Sequence, residues 1–337
     1  MSKQTDARLA VIVVSYNTCS LLRECLRTLL DALAREIGWL SAQIIVVDNA
    51  SVDGSAAIVG REFPQVRLLA MEHNLGFTGG NNRALALLGL TGAKGSPAAQ
   101  LAPDFVLLLN PDTRIESDAV AQMVRFLQHT PDAAICGAGL RYGDGRFQHG
   151  AFAFPGVAQV ALDLLPLRRL PGGARLYESR LNGRYPRGQW DTGRPFAVDF
   201  VLGAALMARG ELFRQIGVLD DGYFMYCEEM DFCLRAGEAG WRVFAVPAAQ
   251  IVHLEGQSSR QVRWPAFTRL WRSRLRFYRL HRTHFAAGTQ TIVRFIVGAA
   301  MSIGARRALA RFARGLSDGS EAGAEIAARK AVLHSTQ

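Results

Sequence analysis

The strongest constraint on the fold lies in residues 1–140, where short β-branched runs alternate with helical stretches. Leu9–Val14 (LAVIVV), Gln43–Asp48 (QIIVVD), Val66–Met71 (VRLLAM) and Asp104–Asn110 (DFVLLLN) are near-continuous apolar runs of strand length, the pattern of strands buried on both faces. Between them Ser20–Ile37, Gly54–Glu62 and Thr78–Gly89 read as helices, and Ser117 is placed as the N-cap of a fourth that ends near Thr130. Such alternation builds an α/β fold with a mainly parallel sheet flanked by helices. In open sheets of this kind ligands bind beyond the carboxyl ends of the strands. The residues there are polar every time: SYN, DNAS, EHNLGF and NPD follow the four runs in order. Four polar loops are thus expected on one edge.

The 337-residue chain is 49% apolar and 20% charged, which excludes disorder for its bulk. Its net charge of +10 calls for an anionic partner, whether nucleic acid, a phosphate-bearing substrate or a membrane. The charge is not spread evenly. Residues 255–314 hold 13 arginines, no lysine and one acid, a net +12, while the remainder carries 26 basic and 28 acidic residues. In that segment Trp264, Phe267, Leu270, Trp271, Leu275, Phe277 and Tyr278 alternate with arginines at helical spacing. The spacing suits a basic amphipathic helix on anionic lipid or a helix packed on the rest of the chain. The longest apolar run, Phe295–Ala305, has 11 residues, short of the ~18 that argue for a membrane span. Five cysteines without a CxxC pair point to a reducing compartment, and MSKQTDAR lacks the apolar core of a signal peptide. The expected location is the cytoplasm, with peripheral contact at the inner face of the cytoplasmic membrane.

Gly89–Pro103 reads as a surface insertion and residues 143–198 as irregular structure with short strands. Order returns with DFVLGAALMAR, a short helix at Glu211–Ile216, the acidic stretch YFMYCEEMDFCLRAGEAGW, WRVFAV and AAQIVHLEG. Residues 315–337, rich in Gly, Ala and Ser, are expected to be a flexible tail.

Several residues carry chemistry. Asp48 ends a strand where a carboxylate is costly to desolvate without a donor; a ligand N–H is one such donor, a local turn the other. Asp112, in Asn110-Pro111-Asp112, stands where an oxygen can bridge a divalent metal and a diphosphate. Gly76–Arg83 (GFTGGNNR) offers glycines, Gly79 among them, for close backbone approach to phosphates, with Arg83 as a cationic contact on the first helical turn. No Walker loop and no GxGxxG after the first strand are present, which disfavours P-loop and dinucleotide-cofactor readings. Glu228, Glu229 and Asp231 put three acids in four residues, enough mutual repulsion to raise a carboxyl pKa toward that of a general base. The same acids also suit a helix N-terminus, and Asp231 with Arg235 forms an i, i+4 pair. His253 follows a strand-like run, in a setting where a lone histidine is more often structural than ligating.

Taken in order, VVSYN, VVDNASVDGS, NLGFTGGNNRAL, LLLNPDT, GAALMARGELF, GVLDDGYFMYCEEMDFCLRAGEAGW and VHLEGQSS strongly resemble the bacterial family 2 glycosyltransferases of GT-A fold, nearest the rhamnosyltransferase-like branch. The resemblance spans residues 9–282 and is weakest over 143–198. It implies a catalytic domain at 1–255, with a nucleotide-sugar-binding half at 9–140 and an acceptor half at 141–255, followed by a helical extension at 256–314. It also implies that Asp48 receives the N3–H of uracil or thymine, with Ser15 and Tyr16 lining that pocket and Asn110 beside the nucleotide-sugar. Asp112 becomes the last acid of a DxD-type motif that binds Mg²⁺ or Mn²⁺, with Asn110 in its first position and His253 completing the metal site. Glu229 falls at the catalytic-base position, where aspartate is more usual, with Glu228 and Asp231 as supporting acids. The implied reaction is one inverting displacement from a dTDP- or UDP-sugar, best dTDP-L-rhamnose, to a hydroxyl of a surface or cell-wall polysaccharide or a lipid-linked glycan. Two other readings stand beside it. A nucleotidyltransferase that makes sugar nucleotides needs a Gly-rich basic loop after the first strand, where SYNTCS stands; a nucleic-acid-binding protein is motivated by the basic, aromatic segment after Trp264.

Overall fold

The computed structural model describes residues 7–91, 102–164, 172–256 and 262–336. Most of the expected Gly89–Pro103 insertion and the end of the VHLEGQSS motif lie outside them. The chain divides into two compact units: Met1–Ala153 with Tyr185–Phe224 and Glu228–Ser258, and Phe154–Arg184 with Met225–Cys227 and Ser259–Gln337.

The first unit is built on a mixed, mainly parallel sheet in the order β3-β2-β1-β4-β11-β6-β12-β5. Its strands are β1 (Ala7–Ser15), β2 (Leu40–Asp48), β3 (Arg67–Ala70), β4 (Phe105–Leu109), β5 (Thr113–Ile115), β6 (Ala133–Arg141), β7 (Phe147–Gln148), β8 (Ala151–Phe152), β9 (Phe196–Val198), β10 (Phe200–Val201), β11 (Ala205–Arg209) and β12 (Arg242–His253). β7 and β9 join the sheet beside β6 and β12, and β8 pairs with β10 in a small second ladder. β1 runs parallel between β2 and β4, and from Leu9 to Val14 it is buried throughout. That is why its sequence is continuous rather than alternating. The helices are α1 (Cys19–Ala34), α2 (Ser55–Glu62), α3 (Gly76–Leu87), α4 (Ala119–His129), α5 (Gly210–Ile216) and α6 (Glu228–Glu238). α1 shows the pattern that holds them: Leu22, Cys25, Leu26, Leu29 and Ala32 form one buried stripe at helical spacing.

Two later strands bring distant segments to the same edge. β11 is antiparallel to β4 with Ala205 opposite Leu109, so the residues before it meet those after β4. β12 runs parallel to β6 and antiparallel to β5, with His253 opposite Thr113. The separate runs WRVFAV and AAQIVH are one strand through Pro247, with a register shift between Val246 and Gln250. The fourth helix starts after Asp118, because Ser117 sits at φ 47° and serves the turn instead.

The second unit is helical: a short helix at Val157–Leu164, then α7 (Arg263–Leu280), α8 (Thr289–Ala313) and α9 (Gly319–His334). Phe154–Arg184 groups with these helices. Trp271, Leu275 and Tyr278 of α7 pack with Val160, Val293, Val297, Met301 and Val332, so its aromatic stripe is core rather than exposed surface. The flexible tail expected at 315–337 is mostly helix. Its alanines are the best helix formers, Asp318 caps Ser320 N–H, and buried Glu325 accepts from Arg311 (2.6 Å) and Arg329 (2.9 Å).

Close packing also explains the glycines of GFTGGNNR. A β-carbon on Gly76, at φ 75°, would stand 2.2 Å from the Phe224 carbonyl; on Gly79, 2.9 Å from Leu75; on Gly80, 2.8 Å from Val14. α3 begins at Gly76, so Arg83 is exposed on its second turn, not its first. Gly80→Ala is expected to overpack the α3–β1 contact and destabilise the protein by about 1–3 kcal/mol, read as a lowered urea midpoint with an unchanged slope.

Candidate active site

At the carboxyl edge Ser15 and Asp48 are paired neighbours on β1 and β2. The loops that follow are laced together. Asn17 N–H donates to Ser51 Oγ (2.9 Å), Val52 N–H to Asn17 Oδ1 (2.9 Å), Cys19 N–H to Asp53 Oδ2 (2.7 Å) and Asn49 N–H to Ser15 O (2.9 Å). Asn17 and Ala50 hold positive φ of 51° and 61°, strain that persists only where the surroundings over-determine it. Asp48 is 2% exposed. Its Oδ2 accepts from Ser51 N–H (3.0 Å), while its buried Oδ1 has no hydrogen-bond partner among the described residues. An unmet buried acceptor of this kind costs about 1–3 kcal/mol, which a ligand N–H recovers. Ser15 is buried with its hydroxyl 2.9 Å from that of Thr18, and Tyr16 is half-buried beside it.

Next along the edge is the Asn110-Pro111-Asp112 turn. Asn110 N–H donates to Ala204 O (2.9 Å), Leu254 N–H to Asp112 O (2.9 Å) and Thr113 Oγ1 to Asn110 O (2.7 Å). Cys25, reaching up from α1, bonds the same carbonyl at 3.6 Å and Thr113 Oγ1 at 3.4 Å; burial pushes its thiol up to about 12, so it stays protonated. His253 Nε2 lies 3.4 Å from Asp112 Oδ1 and 3.4 Å from Asn110 Nδ2, and its Nδ1 lies 3.2 Å from Gln148 Oε1. With Nδ1–H donated to Gln148, the Nε2 lone pair faces the Asp112 carboxylate. Two buried electron-pair donors at that separation fit two ligands of one divalent cation whose remaining positions are filled from outside the protein. Among the described residues no group of three His, Cys, Asp or Glu side chains assembles as a metal site.

The acidic cluster opens α6 after two residues at positive φ, Tyr226 (73°) and Cys227 (68°). Glu228 is 4% exposed. Burial first, then the charge of Glu229, hold its carboxyl well above the usual range, and it is hydrogen-bonded to Glu229. Glu229 itself is half-buried. Asp231 turns away into an ion pair: its Oδ2 accepts from Arg235 Nε (2.7 Å), and Arg235 also donates to the carbonyls of Ile216 (2.8 Å) and Val218 (2.9 Å). A β-carbon on Gly203 would lie 3.7 Å from Glu229 Cβ and 3.8 Å from the Phe77 ring. Because Ala204 accepts from Asn110, Glu229 and the Asn110 turn are joined through two residues.

The structure therefore brings Asn110, Asp112 and His253 into contact, pairs Ser15 with Asp48, and joins Glu228 to Glu229. It engages Asp231 with Arg235, and leaves Gly79 packed on Leu75 and Arg83 exposed. Sequence reading missed Gln148, Cys25 and the Gly203–Ala204 step. Gln148 lies in the stretch without periodicity, and Cys25 looks like any apolar helix position; only Gly203, beside a strand, carried a signal of close approach.

The profile described as Glycosyl transferase family 2 matches residues 10–182, and the chain belongs to that family of glycosyltransferases. Its curated relatives include proteins named rhamnosyltransferases. The N-acetylglucosaminyl-diphospho-decaprenol L-rhamnosyltransferase of Mycobacterium tuberculosis strain H37Rv is 29% identical over 262 residues, 74% of this chain and 77% of the relative. Rhamnosyltransferase WbbL of Escherichia coli K12 is 39% identical over 70 residues, 21% of this chain and 26% of its own. The fold resembles that of the mannosyltransferase PcManGT from Pyrobaculum calidifontis, solved with GDP-Man and Mn²⁺ (TM-score 0.54, 14% identity, covering 98% of this chain and 86% of that one). GalNAc-T7, solved with UDP, GalNAc and Mn²⁺, gives a TM-score of 0.52 at 16% identity over 80% of this chain and 48% of its own. Family membership displaces the nucleotidyltransferase and nucleic-acid-binding readings.

The raised Glu228 carboxyl has a consequence for stability. A carboxyl held above its unfolded value near 4.5 stabilises the fold below that value and loses the contribution as pH climbs through the raised one. Glu228→Gln keeps the hydrogen bond without the titration. It is expected to match the parent protein at acid pH and exceed it in urea stability at alkaline pH.

Proposed function

We propose that the protein transfers L-rhamnose from dTDP-L-rhamnose, or a closely related dTDP- or UDP-sugar, to a hydroxyl of a lipid-linked glycan, with inversion at the anomeric carbon. The observation that carries this reading is the alignment on one sheet edge of the unpartnered Asp48 carboxylate oxygen and the facing Asp112–His253 pair. The 29% identity to a relative named for L-rhamnose transfer to a decaprenol-linked acceptor supports the choice of sugar and acceptor.

Asp48 Oδ1 accepts the N3–H of the pyrimidine, and Ser15 and Tyr16 flank the ring. Asp112 and His253 hold the divalent cation, Mg²⁺ or Mn²⁺, which when bound neutralises charge developing on the departing diphosphate. Glu229 accepts the proton of the acceptor hydroxyl as its oxygen attacks the anomeric carbon. The bond from that carbon to the diphosphate oxygen breaks on the opposite face, and the nucleoside diphosphate leaves with the electron pair. Protonated Glu228 donates a hydrogen bond to Glu229 and keeps the proton-accepting charge on that residue. Glu229 alone serves as base, and Asp231 supports it from a distance by fixing the start of α6 through Arg235.

Glu229→Gln is expected to lower the transfer rate by about 10²–10⁴-fold while leaving donor affinity nearly intact, measured by calorimetry and product formation. Undiminished transfer in that variant would move the base role to another acid. Asp48→Asn is expected to weaken binding of UDP or dTDP by about 1–3 kcal/mol, and Asp112→Ala to abolish transfer. A panel of sugar nucleotides with Mg²⁺ or Mn²⁺ selects the donor, and the absence of binding and turnover with every member would overturn the reading.

A further inference from the structure

The second unit carries an apolar surface that its own core does not use. α8 packs Val293, Val297, Met301 and Ala308 inward, yet its outer side is also apolar. Ile292 is 48% exposed, Phe295 76% and Ile303 50%. These three lie on one stripe of the helix, with Ala299 between them, over roughly 16 Å. The stripe continues into Arg306 and Arg307, both exposed and without an ion pair among the described residues. An apolar helix face calls for cover by protein or by lipid, and here protein covers the opposite side.

We propose that α8 lies in the plane of an anionic membrane surface, with Ile292, Phe295 and Ile303 entering the headgroup boundary and Arg306 and Arg307 meeting lipid phosphates. Charge selects this occupant over a second copy of the chain. A two-fold contact sets a surface against itself, and this one belongs to residues 255–314, whose net charge is +12 and whose one acid is Glu255. An anionic bilayer supplies the opposite charge and an apolar phase together. No described helix is long and apolar enough to cross a membrane, which leaves the in-plane orientation. The membrane-facing surface is then not the α7 stripe that the sequence suggested, because Trp271, Leu275 and Tyr278 are occupied in the core. The inference does not depend on the sugar or the acceptor.

Flotation of the full-length protein with vesicles of phosphatidylglycerol and phosphatidylcholine, against phosphatidylcholine alone, at low and high salt tests it. The expected result is binding to the anionic vesicles that falls with salt. The double variant Ile292→Ser/Phe295→Ser should bind about tenfold or more weakly, and Arg306→Gln/Arg307→Gln about fivefold more weakly per charge removed. Circular dichroism and sugar-nucleotide binding of both variants should match the parent protein, since the altered side chains are exposed. Absence of flotation in the parent, or flotation of the Ser variant equal to the parent, overturns the proposal. So does light scattering that shows a dimer which Ile292→Ser/Phe295→Ser converts to a monomer. Vesicle binding without sugar-nucleotide binding would count against the transferase chemistry and leave this inference standing.

Discussion

Burial of β1 on both faces and both edges is the constraint from which the catalytic unit follows. Flanked by β2 and β4 and covered by helices, β1 carries no polar side chain from Leu9 to Val14, so polar groups collect where it ends. Ser15, Asp48 and Asn110 are the first positions past that dry interior. The sheet thereby acts as a ruler: strand length and register fix how far each polar group stands from the next. Antiparallel β11 then delivers Gly203 and Ala204 to the same line, and β12 delivers His253.

What was legible in the sequence tracks this physics. Runs such as LAVIVV and FVLLL read as strands because a doubly buried strand leaves a continuous apolar signature. The helices beside them read from stripes such as Leu22, Leu26 and Leu29. The order β1-α1-β2-α2-β3-α3-β4 was therefore visible, and its boundaries were off mainly where a turn took over a capping residue, as at Ser117. The region after Gly143 was opaque because two-residue strands such as Phe147–Gln148 hold their place by ladder pairing and not by periodicity. Gln148 beside His253 is one result. The tail was misjudged because small residues signal both flexible coil and tight helix packing; burial of Ala322, Ala328 and Val332 against neighbouring helices decides between them.

The acidic cluster shows how one short sequence distributes unlike tasks. Three acids in four residues look interchangeable, yet the fold gives each a different environment. Glu228 is buried and its carboxyl is held well above the usual range by burial and by Glu229, Glu229 is half-buried beside it, and Asp231 is committed to Arg235. The positive φ at Tyr226 and Cys227 turns the chain abruptly into the helix, so that Glu229 stands over Gly203. A β-carbon at position 203 would already be in van der Waals contact with that of Glu229, which places the glycine beside the site although it carries no functional group.

The exclusive use of arginine between residues 255 and 314 has a chemical consequence of its own. A guanidinium keeps its proton at every pH a cell reaches, and it is not a substrate for the acetylation that silences lysine charges. The positive charge of this segment is therefore permanent: neither acidification nor lysine-directed modification can dial it down. Control over whatever anionic surface it meets is left to the other side of the contact, to the ionic strength of the medium and the charge density of the partner.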